Sequence, residues 1–106
     1  MAARPPADCR DMTEVRAEID RVDKALVDTI AERFGYVERA WQLKLEARQE
    51  ANVPWRNQQV IDKVRARADE KGVPADLCEA LWRQMIGWFI QYEEEKLRHR
   101  IEGQSR

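Results

Sequence analysis

A chain of 106 residues, 37% charged and 43% hydrophobic with four glycines and four prolines, suits one helical domain around a modest core rather than a β-rich or disordered chain. Its 19 basic and 20 acidic side chains leave a net charge of −1, which excludes an overall field that would draw it to nucleic acid or to an anionic membrane. No apolar run approaches the roughly 18 residues that span a bilayer, and the opening MAARPPADC lacks a signal peptide's apolar stretch, so the cytoplasm is the expected location.

Residues 1–11, with Pro5 and Pro6, read as an N-terminal arm. From Met12 a helical pattern begins, with Thr13 as the expected N-cap, and it meets no proline before Pro54. One helix of roughly 36–40 residues is predicted there, about 55–60 Å long at the rise of an α-helix. Pro54 opens a second, shorter helix from about Trp55 to Glu70, closed by Lys71-Gly72. Pro74 and Asp76 start a third that reaches about Arg98, so the domain spans residues 12–98 and a polar tail occupies 99–106. Cys9 and Cys78 are expected to be reduced and unpaired. His99, the single histidine, has no partner for a metal site, and none is expected.

The first helix is too long for its chain. A domain of this size has a radius of gyration near ~13 Å, yet the apolar pattern continues through Val15, Ile19, Val22, Leu26, Ile30, Val37, Ala40 and Trp41. A stripe that the chain itself cannot cover asks for a second chain, so a homodimer in which long helices pair is predicted. The fold class is therefore all-α: three helices, long–short–long, forming an intertwined homodimer.

On a helical wheel, at about 100° per residue with Val15 at zero, Ile19, Val22, Leu26, Val37 and Ala40 fall within about 40° of zero. Arg33 falls near 0° and Lys44 near about 20°, inside that apolar stripe, while Arg16 lies on another flank at about 100°. The third helix repeats the oddity with opposite sign: Trp82, Ile86, Phe89 and Glu93 share one face, and Glu93 ends it. A second stripe, Leu77-Leu81-Trp88-Tyr92, lies beside it, so this helix is expected to be buried around most of its circumference. On the second helix Asn57 shares a face with Ile61, Val64 and Ala68, and Arg56 leads the neighbouring face.

A cation facing a core needs an anion or a water-filled cavity. Arg33 or Lys44 can pair with Glu93 in a buried salt bridge, or their long stems can carry the charge to water. Two cations with few candidate anions leave positive charge over, and an enclosed pocket with surplus positive charge fits a small dicarboxylate. No nucleophile–base pair or phosphate-cradling glycine loop accompanies them. Such a site acts through charge and shape. The rival is a non-catalytic helical interaction module, against which the charges at 33 and 44 count.

The stretch EVRAEIDRVDKALVDTIAERF, then Lys44, then Arg56 after Val-Pro, then the polar position at Glu93, resembles the all-helical, AroQ-type chorismate mutase family over about residues 12–98. The opening DCRDM with EVRAEIDRVD and the closing QMIGWFIQYEEE are especially similar to its isochorismate pyruvate lyase branch, which makes salicylate. The resemblance implies an intertwined homodimer with two active sites, each built from both chains, a small dicarboxylate substrate and no cofactor. It implies that Arg16 reaches into the partner's site, that Arg33 and Arg56 bind substrate, and that Lys44 stands at the breaking ether bond. Glu93 falls where most members carry glutamine, the second donor to the ether oxygen, and a glutamate can donate there only when protonated. Asn57 falls where many mutases carry a glutamate that binds the ring hydroxyl. The implied activity is chorismate mutase, in aromatic amino acid biosynthesis, with isochorismate pyruvate lyase or an aminated chorismate analogue as alternatives.

Overall fold

Helix is the only regular structure among the described residues of the computed structural model, which are 3–104; positions 1–2 of the arm and 105–106 of the tail lie outside them. A short 3₁₀ turn, Pro6–Asp8, precedes α1 (Met12–Ala47), α2 (Pro54–Lys71) and α3 (Ala75–Gln104). The chain divides into two compact units, one ending at Tyr36 and the other beginning at Val37.

In the first unit the cap of α1 differs from expectation. Thr13 lies inside the helix, and Asp11 caps it: its carboxylate accepts from the Glu14 N–H at 2.9 Å. Asp tops the N-cap preference because its short carboxylate reaches an orphan N–H while its charge faces the helix dipole. Glu14 reaches back to the Arg10 N–H at 2.7 Å and pairs with the Arg4 guanidinium at 2.5 Å, and Glu18 accepts from the Arg4 N–H at 3.1 Å. These bonds hold the Glu14 and Glu18 carboxyls below the usual range, led by the Arg10 N–H for Glu14 and by the Arg21 side chain for Glu18. The apolar stripe lies open: Ile19 is 51% and Leu26 54% exposed, and Val22 and Ile30 are similar.

In the second unit α1 ends without a glycine. Arg48 adopts the left-handed conformation, φ 55°, while the Gln49 N–H bonds the Lys44 carbonyl at 2.8 Å and the Arg48 N–H that of Leu45. This is the same double closure that Gly72, φ 71°, makes at the end of α2, with Val73 bonding Ala68 at 2.9 Å. A residue with a Cβ pays about 1 kcal/mol or more for that backbone. Arg48→Gly is accordingly expected to raise stability by about 0.5–1 kcal/mol, the gain being offset by the freer unfolded chain, as a denaturant midpoint shift would read.

Pro54 opens α2 as its first residue, where a missing N–H costs nothing, and α2 packs against α3 with Ile61 and Ala68 buried. The charged edge of that pair is a network in which Arg65 bridges Asp76 at 3.0 Å and Glu79 at 2.8 Å, with Arg83 on Glu79 at 2.7 Å. A second cluster buries Trp41, Ala51 and Leu97, with Leu45 and Tyr92 packed against it. That cluster carries α3 through Gln104, past the expected end near Arg98: Leu97 is held in it, and the Arg100 guanidinium lies 5.9 Å from the Trp41 ring centroid. In the single chain α3 is buried on one face only. Its Phe89-Glu93-Leu97 face is buried, but Leu77, Leu81 and Trp88 are more than half exposed, because one short helix covers one face of a long one.

Candidate active site

Lys44 and Glu93 meet. Lys44 stands in the last turn of α1, one turn beyond the buried Trp41, and Glu93 lies between the buried Phe89 and Leu97 on α3. The Lys44 Nζ donates to Glu93 Oε2 at 2.7 Å and to the Ala51 carbonyl at 2.9 Å. Glu93 is 6% exposed, so its charge is matched by a partner instead of by water. Of the two outcomes left open by the pattern, the structure of the free chain realises the salt bridge. The Ala51 carbonyl is a second acceptor that sequence pattern does not reveal, because it depends on how the backbone turns between Ala47 and Pro54. An ammonium has three protons to give, and two are directed here.

The other predicted residues are placed separately. Arg56 is exposed and donates to Gln59 at 2.5 Å; Asn57 is half-buried and donates to the Asn52 side chain at 2.8 Å. Neither bonds Lys44 or Glu93. Arg16 and Arg33 belong to the first unit, Arg16 exposed and Arg33 half-buried. A cavity of about 900 Å³ opens beside Lys44, lined by Leu45, Arg48, Ala51, Leu97 and Ile101 among others, and Glu93, Arg56 and Asn57 are not in its wall. Cys9 and Cys78 are both free thiols.

One cluster went unmarked by the pattern. Glu38, on α1, accepts from the Tyr92 hydroxyl of α3 through Oε1 and from the Trp41 indole N–H through Oε2 at 3.2 Å. Trp88 stacks on the Tyr92 ring at 5.4 Å, and the Lys96 ammonium lies 5.4 Å from its centroid. Glu38 is spaced as one more solvated charge on a helix, and only the helix-to-helix rotation reveals its partner.

Hydrogen bonding to the Glu38 carboxylate, then partial burial, pushes the Tyr92 phenol up to about 12. The Tyr92 hydroxyl, helped by Trp41, holds Glu38 below the usual carboxyl range against the effect of burial. For Tyr92 the raised folded value means stability present below about pH 10 and lost as pH rises from there through about 12. For Glu38 the lowered folded value means stability present above the ordinary carboxyl range and lost as pH falls through the folded value. An ultraviolet phenolate titration should therefore show one of the two tyrosines ionising near 12, a step that disappears in Tyr92→Phe.

A family model described as chorismate mutase type II matches residues 15–94, a span that contains Arg16, Arg33, Lys44, Arg56, Asn57 and Glu93. The chain is 34% identical over 89 residues to isochorismate pyruvate lyase of Pseudomonas aeruginosa, covering 82% of this chain and 85% of that protein. It is 33% identical over 86 residues to the T-protein of Enterobacter agglomerans, which is 81% of this chain and 23% of that protein's length. Among the described residues no helix is long and apolar enough to cross a membrane, and no three His, Cys, Asp or Glu side chains are grouped to hold a metal ion.

Proposed function

The chain belongs to the type II chorismate mutase family, and from that premise we propose that it rearranges chorismate to prephenate in a cationic cavity completed by a second copy of the chain. The observation that carries the reading is the Lys44 ammonium, held 2.7 Å from Glu93 and 2.9 Å from the Ala51 carbonyl. A cation fixed by two acceptors does not reorganise when negative charge develops beside it.

Chorismate carries two carboxylates and rearranges in one pericyclic step: the ether C–O bond breaks as a C–C bond forms, and negative charge builds on the ether oxygen. Lys44 meets that charge. Arg33 and, from the partner chain, Arg16 clamp the carboxylates and hold the single flexible substrate in its reactive conformer. Arg56 turns from Gln59 to add positive charge, and Asn57 turns from Asn52 to bind the ring hydroxyl. The exposed stripe through Ile19, Val22, Leu26 and Ile30 supports the second copy, since a row of half-exposed aliphatic side chains along a helix is stabilised by burial against another. The chemistry needs no cofactor.

Glu93 serves beside Lys44 as the second catalytic group at the ether oxygen.

A second reading, isochorismate pyruvate lyase, is favoured by the match to the Pseudomonas aeruginosa enzyme across 85% of its length. The same cations would hold a different conformer and favour hydrogen transfer with loss of pyruvate. Incubation with chorismate and, separately, with isochorismate decides between them: prephenate establishes the mutase, and salicylate with pyruvate the lyase. Silence in both assays overturns the enzymatic reading and favours a helical interaction module.

A further inference from the structure

Lys44 and Glu93 stand on different helices, so their 2.7 Å contact depends on the register and rotation of α1 against α3. The apolar contacts in this part of the second unit, Trp41 and Leu45 with Leu97, are non-directional and tolerate a slide of a fraction of a turn. The hydrogen bond from Tyr92 to Glu38 does not. It lies six residues before Lys44 on α1, about 9 Å along the axis, and its donor is the residue immediately before Glu93 on α3. Two directional ties, about 9 Å apart on α1 and meeting adjacent residues of α3, hold α1 against sliding along α3.

The tie is itself fixed from several sides. Both Glu38 oxygens are engaged, one by Tyr92 and one by the Trp41 indole at 3.2 Å, which locks the Glu38 rotamer from within its own helix. Trp88 stacks on the Tyr92 ring with 13° between planes, and Trp41 is buried. Trp41 in turn stands one helical turn before Lys44. Each member of the proposed reacting pair therefore has a neighbour held by one carboxylate.

We propose that Glu38 and Tyr92 are positioning residues, which set the placement of Lys44 and Glu93 by locking α1 to α3; this rests on the reading of Lys44 and Glu93 given above. Each acts through the other helix, since the Tyr92 hydroxyl gives its proton to Glu38 and the Glu38 oxygens accept from Tyr92 and from Trp41. Misplacement of a catalytic group by a fraction of an ångström lowers the chemical step while leaving binding through the arginines unchanged, so the signature is a split between kcat and KM.

The test is steady-state kinetics of Tyr92→Phe, Glu38→Ala and Glu38→Gln, with helicity and thermal midpoint measured on each. Tyr92→Phe keeps the ring and its stack and removes the hydroxyl alone. It and Glu38→Ala are expected to lower kcat about tenfold with KM within about twofold of wild type. Glu38→Gln retains acceptor oxygen and is expected to recover most of the loss. If Tyr92→Phe turns over like wild type, or if kcat falls only in step with lost helicity and Glu38→Gln fails to rescue, the inference is overturned. A wild-type protein inactive on both chorismate and isochorismate overturns the reading of the site itself, which separates that failure from this one.

Discussion

Lys44→Met is expected to lower turnover about 10²–10³-fold, equivalent to the ~3–4 kcal/mol that one preorganised group contributes at a developing oxyanion. The same substitution is expected to destabilise the chain. Removing the ammonium leaves the Glu93 carboxylate, 6% exposed, without its partner, and breaking one side of a buried pair costs up to about 3–5 kcal/mol. The two effects have to be separated, and a double substitution does so. Lys44→Met with Glu93→Gln removes both charges from the same enclosed space, leaving a neutral amide in place of a stranded carboxylate. Denaturant stability is then expected to return most of the way, because replacing a whole buried pair is far less costly than halving it. Turnover is expected to stay low. A double variant that regains both stability and turnover shows that Lys44 serves as a structural counter-ion and sinks its catalytic role.

That separation matters because the pair was legible in the sequence in a way its function was not. Lys44 sits in the apolar stripe of α1, and Glu93 ends an apolar stripe on α3. Two misplaced charges of opposite sign on two faces destined for one core are expected to find each other, and they do so at 2.7 Å. What the pattern left open was whether Glu93 would be the partner or the substrate would. The three helices were legible for an equally physical reason: Pro54 and Gly72 act on the backbone directly, and α2 begins and ends at them. Ala47, the end of α1, carries no such signal, since Arg48 takes a conformation that a glycine would adopt at less cost. Asp11 displaced Thr13 as the cap because several residues in DCRDMT suit the role, and local choice among them depends on the turn that leads in. The tie between Glu38 and Tyr92 was beyond the pattern altogether. Helical periodicity gives the angle of each side chain about its own axis, but not the rotation of one helix against the next, and Glu38 differs from a solvated charge only in that second quantity.

The proposed homodimer with shared sites makes the sharpest prediction, because Arg16 and Lys44 would then serve one reaction from different chains. Arg16 is exposed on the first unit, and Lys44 is bound to Glu93 within the second. Arg16→Ala and Lys44→Ala are each expected to be nearly inactive as homodimers, since every site in them lacks one group. Mixed and allowed to exchange chains, the two are expected to regain roughly a quarter of wild-type turnover. An isologous two-fold pairing of equal amounts gives hybrids as half of all dimers, and in each hybrid one of the two sites combines an intact Arg16 with an intact Lys44. The same mixing with Leu26→Glu in both chains is expected to restore nothing. A carboxylate at a position now 54% exposed is solvated in the single chain, but it would be buried and unpaired where two stripes meet. Sedimentation would report that variant as monomer. Recovery on mixing depends on a site built from two chains, whereas a site complete within one chain leaves the mixture as inactive as its parts. If the mixture stays silent while both variants remain dimeric, Arg16 acts within its own chain or not at all, and the shared site is lost from the account.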